Sequence, residues 1–136
     1  MIKACTMGLL YYAAVFAIAF ALGIARALVI NQYAGASAAV LLEVPVVIVL
    51  SWLIAHHLLK RNSFSLSQSV AMGVTAFVLT MASEVVLARL LRGQSATEWM
   101  SNIVTPIGLV GLAGQIAFAL MPMLVVERRN QHSRNN

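Results

Sequence analysis

Apolar residues run through the chain in four long blocks separated by short polar stretches. Within the blocks there is no alternation of period two; Val-Pro-Val-Val-Ile-Val-Leu at 44–50 is continuously apolar. Uninterrupted apolarity of this length signals membrane-spanning helices. The blocks predict spans at 7–30, 36–59, 68–91 and 103–126. Each would be about 36 Å long at ~1.5 Å per residue, enough to cross a hydrocarbon core of ~30 Å with some tilt. Lipid offers no hydrogen-bond partner to a loose backbone amide, so the spans must be helices.

The connections at 31–35, 60–67 and 92–102 are short, which favours an antiparallel four-transmembrane-helix bundle in a single all-α membrane domain covering 1–136. No soluble domain, repeat or low-complexity tract interrupts it. The polar tail 127–136 is expected to be disordered. Lys3 precedes an apolar run that extends well beyond the ~7–15 residues of a signal peptide's apolar core, so an uncleaved first span is expected.

Composition agrees: 61% of the 136 residues are hydrophobic and 10% charged, against roughly 25% charged in a soluble domain. The net charge of +5 does not indicate nucleic acid. The basic residues flank apolar spans and form no patch with interleaved aromatics. Lys3, Lys60, Arg61, Arg128, Arg129 and Arg134 fall on one side of the predicted bundle. Arg92, with Arg89 near a span end, falls on the other. The positive-inside rule therefore predicts both termini in the cytoplasm, here of a bacterial inner membrane. Tyr11, Tyr12, Tyr33 and Trp99 are expected near the interfaces, and Trp52 lies further inside. The single cysteine, Cys5, has no internal disulfide partner.

Four ionisable residues fall inside the spans and away from the cytoplasmic ends: Arg26, Glu43, Glu84 and Arg89. Each costs about 2.5–3.5 kcal/mol at a helix centre, less near an interface. Span two offsets Glu43 with thirteen Leu, Ile and Val, roughly 4–8 kcal/mol in sum. Span three has only ten Leu, Ile, Val and Phe against both Glu84 and Arg89, and is the marginal span. Glu43 and Glu84 lie at equal depth, about 10 Å below the outer boundary, with both arginines nearer that surface. Intramembrane charges face the bundle interior or water and pair. The four residues are therefore expected to form one polar cluster in the periplasmic half, held by intramembrane salt bridges between helices. Glu84 and Arg89 are about 140° apart around their helix and make poor partners for each other. Gln115, near mid-membrane in span four, needs a hydrogen-bond partner on another helix.

Small residues mark packing surfaces. Ala13, Ala17, Ala21 and Ala25 repeat every fourth residue, and Gly108, Gly111, Gly114 and Ala117 every third. Pro45 is expected to kink its helix and Pro122 to kink or end its own, whereas Pro106 suits a first turn.

No GxSxG, HExxH, Walker A or CxxC motif is present, so no enzyme activity, cofactor or metal is expected. Ala21-Leu22-Gly23-Ile24-Ala25-Arg26 resembles the first-span segment of small fluoride channels over six residues. Their second- and third-span motifs do not occur in this chain. Small multidrug exporters are also four-span proteins with a membrane glutamate, but theirs lies in the first span. The chain is assigned to neither family. Two functions are consistent with these features: transport or binding of a small ion or polar solute through the Arg/Glu cluster, or a non-catalytic accessory role in a larger membrane complex. The lipid bilayer is the expected partner, alongside a homo-oligomer or such a complex.

Overall fold

The computed structural model describes residues 1–25, 31–60 and 62–134, with the side chains of 31–39 and 134 left out of the description. Five helices occur among them: α1 (Ile2–Ala25), α2 (Asn31–Leu59), α3 (Leu66–Arg92), α4 (Ala96–Ile103) and α5 (Pro106–Arg134). The four long helices are long and apolar enough to cross a membrane, and they support an integral membrane protein. α2 begins at Asn31, so 31–35, read from sequence as a turn, is helical. α5 continues to Arg134, through most of the segment expected to be disordered.

Caps explain where α3 begins and ends. Ser65 accepts from the Gln68 N–H (3.3 Å), and the Gln68 carbonyl Oε1 accepts from the Ser65 N–H (3.0 Å). This reciprocal capping box satisfies two orphan donors. At the other end Gly93 adopts φ 64°, the left-handed conformation that closes helices at little cost to glycine.

The short helix α4 was not foreseen from sequence. It starts on a second capping box, with Glu98 N–H donating to Ser95 Oγ (3.2 Å) and Ser95 N–H to Glu98 Oε2 (2.7 Å). The backbone and side-chain hydrogen bonds from Ser95 hold the Glu98 carboxyl below the usual carboxylate range. A depressed folded-state pKa contributes stability above the ordinary carboxylate value and loses it as pH falls through the folded value. The first turn of α4 is therefore expected to fray on acidification below about pH 4, while the long helices hold. Amide exchange at residue 98 should rise with acid in the wild type and be pH-insensitive beyond the intrinsic rate in Glu98→Gln, which removes the titrating carboxyl.

α1 packs on α3 and α2, and α5 packs on α2 and α3. The outward face of α3 is apolar, unlike that of a helix in a soluble bundle. Val70, Val74, Val78, Val86 and Leu90 of α3 are exposed, while Ser69, Gly73 and Ala76 are buried. Exposed valines form the face suited to lipid, and small residues together with Met72 form the face toward the other helices. Gly8 lets α1 approach α3: a Cβ there would meet the Met72 carbonyl at 2.7 Å and Thr75 Cβ at 2.8 Å.

The expected alanine packing stripe is corrected. Ala13, Ala17, Ala21 and Ala25 all face outward, because α1 uses the face of Ala4, Gly8, Tyr11 and Val15. Of the α5 stripe, Gly114 does pack closely, against Val44 of α2 at 2.9 Å from an added Cβ, whereas Gly111 faces open space.

Tyr11 is also not the interfacial residue expected. Tyr11 is fully buried and stacks on Phe118 of α5, centroids 4.8 Å apart. Its hydroxyl donates to the Phe118 carbonyl at 2.8 Å. That carbonyl is available because Pro122, four residues on, has no N–H to return the helical bond. Tyr12 shares a hydrogen bond with Ser83 of α3.

Candidate functional site

A cleft of about 670 Å³ opens between α1, α2, α3 and α5, with α4 at one end. Its walls are mainly apolar and aromatic, including Phe16 and Phe20 of α1 and Phe118 of α5. Into it come Glu43 from α2, Glu84 from α3 and Gln115 from α5, with Arg92, Trp99 and Asn102 at the α4 end.

Each wall has a local cause. Pro45 in α2 removes the hydrogen bond to the carbonyl of residue 41, two residues before Glu43, and allows the axis to bend there. Gly23, Gly108, Gly111 and Gly114 contribute no side-chain volume and line the cleft. At Gly23 and Gly111 an added Cβ would meet nothing within 4 Å, so these glycines border space rather than neighbouring backbone. Thr80, which also lines the cleft, spends its hydroxyl on the Ala76 carbonyl (3.0 Å). Its polarity is therefore absorbed within α3.

Glu84 and Gln115 meet across the cleft. Gln115 Nε2 donates to Glu84 Oε1, the partner on another helix that an amide in lipid requires. Both are half-buried, as is Glu43. A carboxylate offers about four acceptor positions. One amide donor leaves Glu84 able to accept more from a bound group.

The sequence-derived cluster is only partly assembled. Glu43, Glu84 and Gln115 share the cleft. Arg26 lies outside the described residues. Arg89 does not join; it is exposed and absent from the cleft lining. Its position follows from the helix: five residues beyond Glu84 turns it to another face. Arg92 takes its place, eight residues beyond Glu84 and about 80° away, near enough for a long guanidinium side chain to reach the same cleft. No intramembrane salt bridge occurs among the described residues, where Glu84 takes a neutral amide partner; a bridge from Arg26 lies outside them.

Sequence reasoning missed Arg92, Trp99 and Asn102. The signal was present in Ser95-Ala96-Thr97-Glu98, whose Ser-x-x-Glu spacing marks a helix start and turns a supposed loop into a structured wall. No protein-family model, no curated protein and no solved structure matches this chain.

Proposed function

We propose that the chain is a small inner-membrane protein that binds a small ion or polar solute in this cleft and moves it across the bilayer. It lies N-in and C-in as an antiparallel four-span bundle, and performs no covalent chemistry. The observation that supports this reading is the Glu84–Gln115 pair set in an apolar cleft that also receives Glu43. Ionisable residues in membrane segments are costly and tend to mark solute or proton pathways. A structural role needs no cavity beside them.

Two carboxyl groups among aromatic walls favour a cation or a cationic, hydrogen-bonding solute. Glu84 would accept from it, Gln115 would hold the Glu84 carboxylate in place, and Arg92 at the rim would disfavour a second cation.

The test is reconstitution in vesicles with a flux panel of inorganic cations, small amines and polar neutral solutes. Glu84→Gln is expected to lower flux of the transported solute at least about tenfold, equivalent to ~1.4 kcal/mol, with the melting temperature retained. Glu43→Gln is expected to lower it less. If the wild type carries nothing and both variants melt early, the charges are structural. The accessory-subunit reading then gains, and a co-purifying membrane partner would establish it.

A further inference from the structure

A second pocket lies where the end of α2 meets the polar extension of α5, apart from the acidic cleft. It has a volume of about 480 Å³ and is lined by Trp52 and His56 of α2 and by Arg128, Arg129, His132 and Ser133 of α5. Among the described residues no carboxylate lines it. The Trp52 and His56 rings stack at 5.6 Å, making one wall flat and amphipathic. Arg129 is partly committed, since Nη1 donates to the Leu59 carbonyl at 2.6 Å and to that of Asn62 at 3.4 Å. It closes the C-terminus of α2, whose last carbonyls need donors. Arg128 and His132, four residues apart on one face of α5, have no such task.

The pocket therefore concentrates cationic donors beside an indole at the boundary between the apolar and polar parts of two spans. Extension of α5 as helix to Arg134 is what brings His132 and Ser133 to it. We propose that this pocket holds the phosphate of an anionic phospholipid headgroup. Arg128 and His132 contact the phosphate oxygens, Ser133 donates a further hydrogen bond, and Trp52 packs on the glycerol and upper acyl region. Basic pockets at the membrane boundary bind such headgroups, and an amphipathic ring at that depth suits the lipid's own polarity gradient. A soluble phosphate would use the cations but gain nothing from Trp52.

The experiment uses the full chain in a neutral detergent. Binding of phosphatidylglycerol, phosphatidylcholine and soluble glycerol 3-phosphate is measured by native mass spectrometry and by the thermal midpoint. The variant is Arg128→Gln with His132→Gln, leaving Arg129 to cap α2. Phosphatidylglycerol is expected to bind the wild type on the order of tenfold more tightly than phosphatidylcholine. The double variant should lose that preference while melting at the wild-type temperature without lipid. Equal binding of the two lipids, or a preference untouched by the double variant, overturns the proposal. Glycerol 3-phosphate binding as tightly as phosphatidylglycerol assigns the pocket to a soluble phosphate and overturns the lipid assignment. Should the double variant melt early, Arg128→Lys with wild-type His132 is measured beside Arg128→Gln. The lysine variant keeps the charge and controls for folding, while Arg128→Gln alone reads the site: a preference reduced from wild type supports the proposal, and a preference equal to wild type overturns it.

Discussion

Gly73→Ala is expected to destabilise the bundle by about 3 kcal/mol, the upper end of the usual cost of overpacking. Gly73 is buried in α3, and a Cβ built on it runs directly into the Ala119 carbonyl of α5. The obstacle is backbone, so no side chain can rotate away. Relief requires α3 and α5 to separate along their contact. Gly111→Ala is the matched control, because its Cβ meets nothing within 4 Å. It should be neutral or stabilising by up to about 1 kcal/mol, the difference in helix propensity between glycine and alanine. Thermal or denaturant unfolding of the two variants against wild type in one detergent checks both. Equal midpoints for the two would show that α3 and α5 do not meet at Gly73.

Tyr11→Phe is expected to cost about 1.7 kcal/mol, near the maximum for interhelical hydrogen bonds in membrane helices, where the average is about 0.6. The ring and its stacking on Phe118 survive the substitution, so the loss isolates the hydroxyl. The high value follows from the acceptor. Pro122 cannot return a bond to the Phe118 carbonyl, so without Tyr11 this buried acceptor is orphaned. Pro122→Ala supplies the missing N–H four residues on. In the Pro122→Ala background, Tyr11→Phe should cost less than about 0.5 kcal/mol. A double-mutant cycle measures this coupling directly. Additive costs would mean that tyrosine and proline act independently.

These two sites were legible to very different degrees. The apolar blocks gave the long helices because a membrane imposes a minimum length of unbroken apolarity. The ends were written in short-range chemistry: Ser65 with Gln68, Gly93, and Ser95 with Glu98. The last pair was overlooked because an eight-residue helix is too short to show a periodic pattern. Helical geometry alone placed Arg89 away from Glu84. It did not select Arg92, whose position depends on α3 running to its full length before Gly93 stops it.

Tyr11 was misplaced for a deeper reason. Its partner is 107 residues away and exists only because Pro122 strips the Phe118 carbonyl of its normal bond. A tyrosine near the end of an apolar block otherwise belongs at an interface. The alanine stripe of α1 failed in the same way. Regular spacing shows which residues share a face, and only the placement of α3 shows which face is inward. For the site, the acids and Gln115 stood out because charge and amide are costly in lipid. The open space around Gly111 could not be read from a glycine that looked like a packing residue.

In the proposed function the solute sits in the acidic cleft. The most direct measurement is vesicle flux by Gly111→Leu, with its melting temperature determined alongside. Leucine at this cleft-lining position branches from a Cβ that meets nothing within 4 Å, so the protein should melt as the wild type does while flux falls at least about tenfold. Wild-type flux through a stably folded Gly111→Leu protein would contradict the account.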